Sequence, residues 1–263
     1  MIHGALIGEN LPPLFFYLLI LVLGLILGSF NTVLVARIPN HESLAGRSKC
    51  ALCGVQILNS DNIPIIGYLR LRGKCRNCHQ PFSPRYLWLE LITATAIFIP
   101  FFLFDRFTMV AAWVGFIILG VALSVIDFQL HRLPDVLTGA LYLSGLALLA
   151  LDASLNQRLD HFRAAVIASF VLSTLYLLLH LLSKGGMGMG DVKLAAAIGL
   201  YTGYISALAV YVAAMTSFTL GSLVGITIMA LGKGTRKTAL PFGPFMLVGA
   251  LISAWLTPLI WTS

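Results

Sequence analysis

Eight apolar stretches, at 14–36, 87–104, 109–126, 136–151, 164–182, 194–211, 213–231 and 240–261, decide what this chain can fold into. A helix needs about 20 predominantly apolar residues to cross the hydrocarbon of a bilayer. Only 10% of the 263 residues are charged, while 59% are hydrophobic. A soluble domain carries roughly 25% charged residues, so no compact globule could cover this much apolar surface. Disordered chains are poor in apolar residues, which excludes disorder too. The expected architecture is an all-α polytopic membrane protein with about eight transmembrane helices and one modest extramembrane segment. The first run follows Pro12 and Pro13 with no basic region before it and no small-residue cleavage site after it, so it reads as a retained span. The division of the sixth run from the seventh rests on 211–217 alone.

Lys and Arg collect in cytoplasmic loops. Of the 17 basic residues, only Arg106, Arg158 and Arg163 fall in one set of alternate loops; the other 14 lie in the set that begins with 37–86. That bias places 37–86 in the cytoplasm and, with eight crossings, both termini outside. It also accounts for the net charge of +7, so a nucleic-acid partner is not expected. Three regions follow: an N-terminal helix at 1–36, a cytoplasmic loop domain at 37–86 and a seven-helix membrane domain at 87–263.

All four cysteines lie in the cytoplasmic segment, as Cys50-x-x-Cys53 and Cys75-x-x-Cys78. Two such pairs at this separation read as a tetrathiolate zinc site. Two disulfides are the alternative, and a reducing cytoplasm disfavours them. His79 could take the place of Cys78. Gly54 and Gly73 stand beside the pairs, where a tight turn calls for a residue without a Cβ. Four protein ligands leave no open position on the metal, so the expected role is structural.

The ten acidic residues separate by position. Glu9, Asp105, Asp152 and Asp160 fall in the sparse outer loops and read as solvated, while Glu42 and Asp61 belong to the cysteine segment. Asp135 follows Pro134 as a helix N-cap, and Glu90, one turn into the second span, could pair with a nearby basic residue. Asp127 closes the run VGFIILGVALSVI, and Asp191 follows GGMGMG at 185–190. In the eight-span topology these two share one membrane depth on the cytoplasmic side. Two carboxylates in one partly desolvated site tend to share a proton. One can then activate a water while the other polarises a scissile carbonyl, which is aspartyl protease chemistry. Gly188 and Gly190 of the GxGD string let a substrate backbone come close to Asp191. Lys193 either lowers the pKa of Asp191 or snorkels to the surface. No HExxH or GxSxG motif occurs, and the six histidines are scattered, with His131 read as a loop residue near Asp127.

Several long motifs then occur in one order: GSFNTVLVARIP at 28–39, GRSKCALC at 46–53, DNIPIIGYLRLRGKCRNC at 61–78 and SPRYLWLE at 83–90. They continue with Asp127 through LPD at 133–135, GGMGMGDVKL at 185–194 and FGPFMLVG at 242–249. In this the chain resembles the type IV prepilin leader peptidases of pilus and type II secretion systems. The resemblance implies a bacterial inner-membrane aspartyl protease, with periplasmic termini, that removes the basic leader of a prepilin after a glycine on the cytoplasmic side. For members with the cysteine-bearing loop it further implies methylation of the new amino terminus by S-adenosylmethionine. The family's catalytic aspartates map onto Asp127 and Asp191, and its zinc cysteines onto Cys50, Cys53, Cys75 and Cys78. Ala51, Leu87 and Asn31-Thr32 depart from the usual pattern without touching either set. No donor-binding motif is legible; Gly73 is the one candidate, and a knuckle turn is its other reading. Besides prepilins, membrane lipid is the expected partner. Two rivals remain, an ion-coupled transporter using the two aspartates and a non-enzymatic zinc-ribbon scaffold.

Overall fold

The computed structural model describes residues 13–50, 52–183, 187–233, 235 and 240–261. Glu9, Pro12, Ala51, Gly185 and Gly186, named above, and the basic residues Lys184, Arg236 and Lys237 lie outside them. Among the described residues there are helices, turns and two isolated β-bridges, and no strand. Six helical segments among the described residues are long and apolar enough to cross a membrane, so the chain is an all-α, multi-pass membrane protein. The chain divides into two compact units, one ending at Asp105 and one beginning at Arg106.

In the first unit, α1 (Pro13–Arg37) packs on α3 (Arg85–Ala96). Gly24 and Gly28 make the approach possible, because a Cβ on either would lie 2.8 Å from the Cα of Ala94 or Glu90. Small residues four apart let membrane helices meet backbone to backbone. Asn31 extends the seam, its Nδ2 donating to Thr93 Oγ1 at 3.0 Å. The second apolar run is interrupted at Ile97, beyond which α4 (Phe98–Leu103) begins. Pro100 lacks the N–H that would bond back to Ala96. Between α1 and α3 lies the cysteine loop, with the short α2 (Ile66–Arg70). Arg37, which the charge count treats only as a topology signal, donates to the carbonyls of Ser43, Leu44, Ala45 and Arg47 and so organises the start of this loop.

The second unit contains α5 (Phe107–Leu130), α6 (Asp135–Leu155), α7 (Leu159–Leu182), α8 (Met189–Ile205), α9 (Ala207–Ala230) and α10 (Gly243–Trp261). Its centre is α8, buried along most of its length. Gly199 and Gly203 admit α7, since Cβ atoms there would stand 2.6 Å from the Ala168 carbonyl and 2.5 Å from Ala168 Cβ. Trp113, Phe116 and Tyr201 close the core between α5 and α8. Only 22% of the apolar window of α7, and of α9, is buried, which leaves their outer faces for lipid. With 17 residues, α8 spans about 25 Å at 1.5 Å per residue, less than the roughly 30 Å of a hydrocarbon core.

Three expectations are corrected here. The sixth and seventh runs part at Ser206, not at 211–217. Ser206 is extended (φ −170°, ψ 163°) and its Oγ accepts from Ala209 N–H at 3.1 Å, capping α9. Thr216 and Ser217 do not break the helix, because their hydroxyls donate to the carbonyls of Val212 and Ala213. Asp135 is not an N-cap; Pro134 holds that position, and the Asp135 carboxylate pairs with Lys193 Nζ at 2.6 Å.

Asp152 is not a solvated loop acid. The last turn of α6 carries it inward, where it is fully buried and accepts from Arg106, Thr108, Tyr204 Oη (2.6 Å) and Asn156 Nδ2 (3.2 Å). The apolar run ends one residue before it, so the letters read as a loop where the helix continues. Removing one partner of a buried ion pair strands the other, at about 3–5 kcal/mol. Asp152→Ala is therefore expected to lower the thermal midpoint of the detergent-solubilised protein markedly, while Asp160→Ala, at an exposed pair with Arg163, shifts it little.

Candidate active site and metal centre

Asp127 lies in the last turn of α5, and Asp191 is the third residue of α8. Both are buried, at 4% and 8% exposure, and their carboxylates are close enough for the two charges to interact. Each is oriented by one backbone amide from a glycine. Gly188 N–H donates to Asp191 Oδ2 at 3.0 Å, and Gly243 N–H, at the start of α10, donates to Asp127 Oδ2 at 3.0 Å. A Cβ on Gly243 would sit 2.9 Å from that same oxygen, so any side chain there would press on the Asp127 carboxylate. The close approach at Gly190 is made by Leu133, whose Cβ would be 2.9 Å from an added side chain. Leu133 also lies against Gly243 and thereby wedges the loop after α5 between the starts of α8 and α10. Lys193 points to Asp135 and not to Asp191.

Several participants escaped the sequence reading. Gly243 falls inside the FGPFMLVG motif, but nothing local to it marks an amide aimed at a residue 116 positions away. His180 Nδ1 meets the Met187 carbonyl at 2.7 Å and ties the end of α7 to the residue before Gly188. Tyr176, buried at 1% exposure, interacts with the Asp191 charge and stacks with Phe218 at 5.6 Å; Phe242 lies 5.4 Å from Phe218. These contacts join residues remote in sequence and have no local signature.

The cysteine loop builds two matching knuckles. Cys50 N–H bonds to the Val55 carbonyl and Cys75 N–H to that of Gln80, both at 2.9 Å. Gly54 N–H returns to Cys50 (2.9 Å) and His79 N–H to Cys75 (3.0 Å). Gly54 (φ +70°) and His79 (φ +56°) hold equivalent left-handed positions, so His79 is a turn residue and not the fourth ligand. The four Sγ atoms lie within 4.8 Å of one another, with Cys50–Cys78 at 3.9 Å and Cys53–Cys75 at 4.0 Å. Tetrahedral coordination with Zn–S near 2.3 Å requires sulfur separations of about 3.8 Å, so the cage fits zinc. All four cysteines are free, against the disulfide alternative.

The thiols of the cage differ in their surroundings. Backbone amides of Cys53 and Leu52 hold the Cys50 thiol below its usual range, and that of Val55 does the same for Cys53. At Cys78 the Gln80 amide pulls downward, but desolvation and the three neighbouring thiols outweigh it and push the group up to about 11. A dication among them would favour all four thiolates. Around the cage, Arg76 clamps Asp61 through two hydrogen bonds of 2.7 and 2.6 Å, which holds that carboxyl below its ordinary range.

Comparison with known proteins bears on both centres. Residues 22–104 match the bacterial peptidase A24 N-terminal domain, and residues 114–231 match the type IV leader peptidase family. A prepilin leader peptidase/N-methyltransferase of Aeromonas hydrophila is 31% identical over 94% of this chain and 92% of its own length. The chain belongs to the type IV leader peptidase family. Proteins of the same description from Pseudomonas aeruginosa (32% identical; 92% of this chain and 90% of the relative) and Burkholderia pseudomallei strain K96243 (31%; 87% and 82%) agree. No solved structure matches. The two leader-peptidase matches parallel the two compact units: the first holds the cysteine cage, and the second holds both aspartates. Gly243 lies beyond the residues that the two family models match.

Proposed function

We propose that the protein is an aspartyl endopeptidase of a bacterial inner membrane that removes the basic leader of type IV prepilins or pseudopilins after a glycine, and then methylates the new amino terminus. The observation that supports the peptidase most strongly is the pair of buried carboxylates on α5 and α8, each oriented by a glycine amide. In this reading one carboxylate takes a proton from water as the water oxygen attacks the scissile carbonyl carbon. The other, protonated, donates to the carbonyl oxygen. Collapse of the tetrahedral species breaks the C–N bond, and the leaving amine receives the proton first taken from water.

A prepilin leader is basic and precedes a long apolar helix, so its junction would meet a dyad at the cytoplasmic membrane boundary. The basic loops of this chain support that side. S-adenosylmethionine would supply an electrophilic methyl group, and the protein's part is to bind the donor and present the freed amine to it. Zinc held by Cys50, Cys53, Cys75 and Cys78 would stiffen the loop domain without taking part in either reaction. Incubating the purified protein with a prepilin and a methyl-labelled donor tests both activities together. The expected result is a smaller pilin that carries label; an unprocessed prepilin would rule out the peptidase.

A further inference from the structure

The first unit contains a cavity of about 360 Å³ walled by α1, the first turns of α3 and the cysteine loop. Small-molecule sites occupy roughly 300–1,000 Å³ and combine apolar surface with a few placed polar groups. This lining brings together the rings of Tyr68, Phe82 and Tyr86 and the carboxylate of Glu90. Glu90 Oε2 accepts the Ile65 N–H at 2.8 Å. Among the described residues no Lys or Arg forms an ion pair with it, against the expectation of a basic partner.

The backbone that holds Glu90 is strained. Ile65 adopts φ +59° and ψ −52°, a conformation that costs a β-branched residue dearly. Ile66 N–H bonds to the Pro64 carbonyl at 2.6 Å, closing a three-residue γ-turn. Such turns persist where their surroundings impose them, and they cluster at ligand sites. This one delivers an amide to the single carboxylate at the α3 wall of the cavity.

We infer that this cavity binds the methyl donor, a nucleoside whose transferable methyl sits on a positively charged sulfur. The inference rests on the methyltransfer reading above. Aromatic faces suit a purine and, through cation–π attraction, a sulfonium. A fixed carboxylate without a cationic partner suits hydroxyl or ammonium donors. Gly73 acts at one remove, since a Cβ there would lie 2.9 Å from the Tyr68 ring and displace it from the wall. Cys50 also lines the cavity, which ties the metal cage to the donor site.

The test is equilibrium binding of tritiated S-adenosylmethionine to the purified full-length protein in detergent, with gel filtration as the check on folding. Glu90→Gln removes the charge yet keeps an acceptor for Ile65, and Tyr86→Ala alters an exposed ring that is free to change without unfolding the unit. Each is expected to weaken binding about tenfold or more, the effect of losing one interaction of roughly 1.5 kcal/mol. Leu69→Ala, exposed and outside the lining, should bind as the parent does. Parent-like affinity in both cavity variants would overturn the site and leave methyltransfer standing. Absence of binding by the parent protein would overturn the methyltransfer reading and the site with it.

Discussion

Asp127→Asn and Asp191→Asn are each expected to lower prepilin cleavage by about 10²–10⁴-fold, the usual contribution of a positioned acid–base group. Asparagine keeps the shape of the side chain, and its amide oxygen can still accept from Gly243 or Gly188, so the fold should survive. Either variant should insert into the membrane and elute from gel filtration like the parent. The double variant should be scarcely worse than either single one, because the two groups act as a unit and their losses do not add. Time-resolved cleavage of purified prepilin measures all three. A single variant that cleaves at near-parental rate would remove the dyad from the mechanism. Gly243→Ala is a sharper probe of geometry, since the added methyl would press on the Asp127 carboxylate from 2.9 Å.

Loss of the metal should have the second large effect. Binding of structural zinc to small cysteine modules is worth about 10–16 kcal/mol and is expressed as folding. Among its described residues, the loop between α1 and α3 is ordered by the short α2, two single 3-10 turns, two bridged knuckles and a few side-chain hydrogen bonds such as those of Arg37 and Arg76. Cys50→Ser with Cys53→Ser, or prolonged chelation, is therefore expected to expose 38–84 to limited proteolysis and to abolish methylation. Cleavage of prepilin should fall much less, because both aspartates belong to the second unit. Elemental analysis should return one zinc per chain of the parent protein; metal-free protein with an ordered loop would refute the structural role. Equal loss of both activities would show that the loop serves the peptidase as well.

The two centres differ in how far they were legible. The cysteine cage could be read almost completely, since ligand spacing within a knuckle is a local property and four thiols leave few other arrangements. Only the part played by His79 needed coordinates, because a left-handed residue after the second cysteine can be glycine, as at Gly54, or a strained side chain. The aspartates were singled out by a different route, from charge set against an apolar background, which marks cost and not partnership. The same logic misplaced Asp152, whose burial depends on Arg106, just before α5, and Tyr204 of α8. GLILG at 24–28 and GLYTG at 199–203 carried a legible helix-contact signal, two glycines four apart, whose significance emerged only with Ala94 and Ala168 opposite them.

From letters alone came the solvent this chain must live in, the order of its apolar segments, the cysteine cage and the two candidate acids, because each depends on residue chemistry or on spacing within a few turns. Tertiary structure alone decided which amide holds which carboxylate, where Leu133 wedges and how Glu90 comes to line a cavity. Those features join residues far apart along the chain, and helix packing settles such meetings through the shapes of whole faces, which no local pattern encodes.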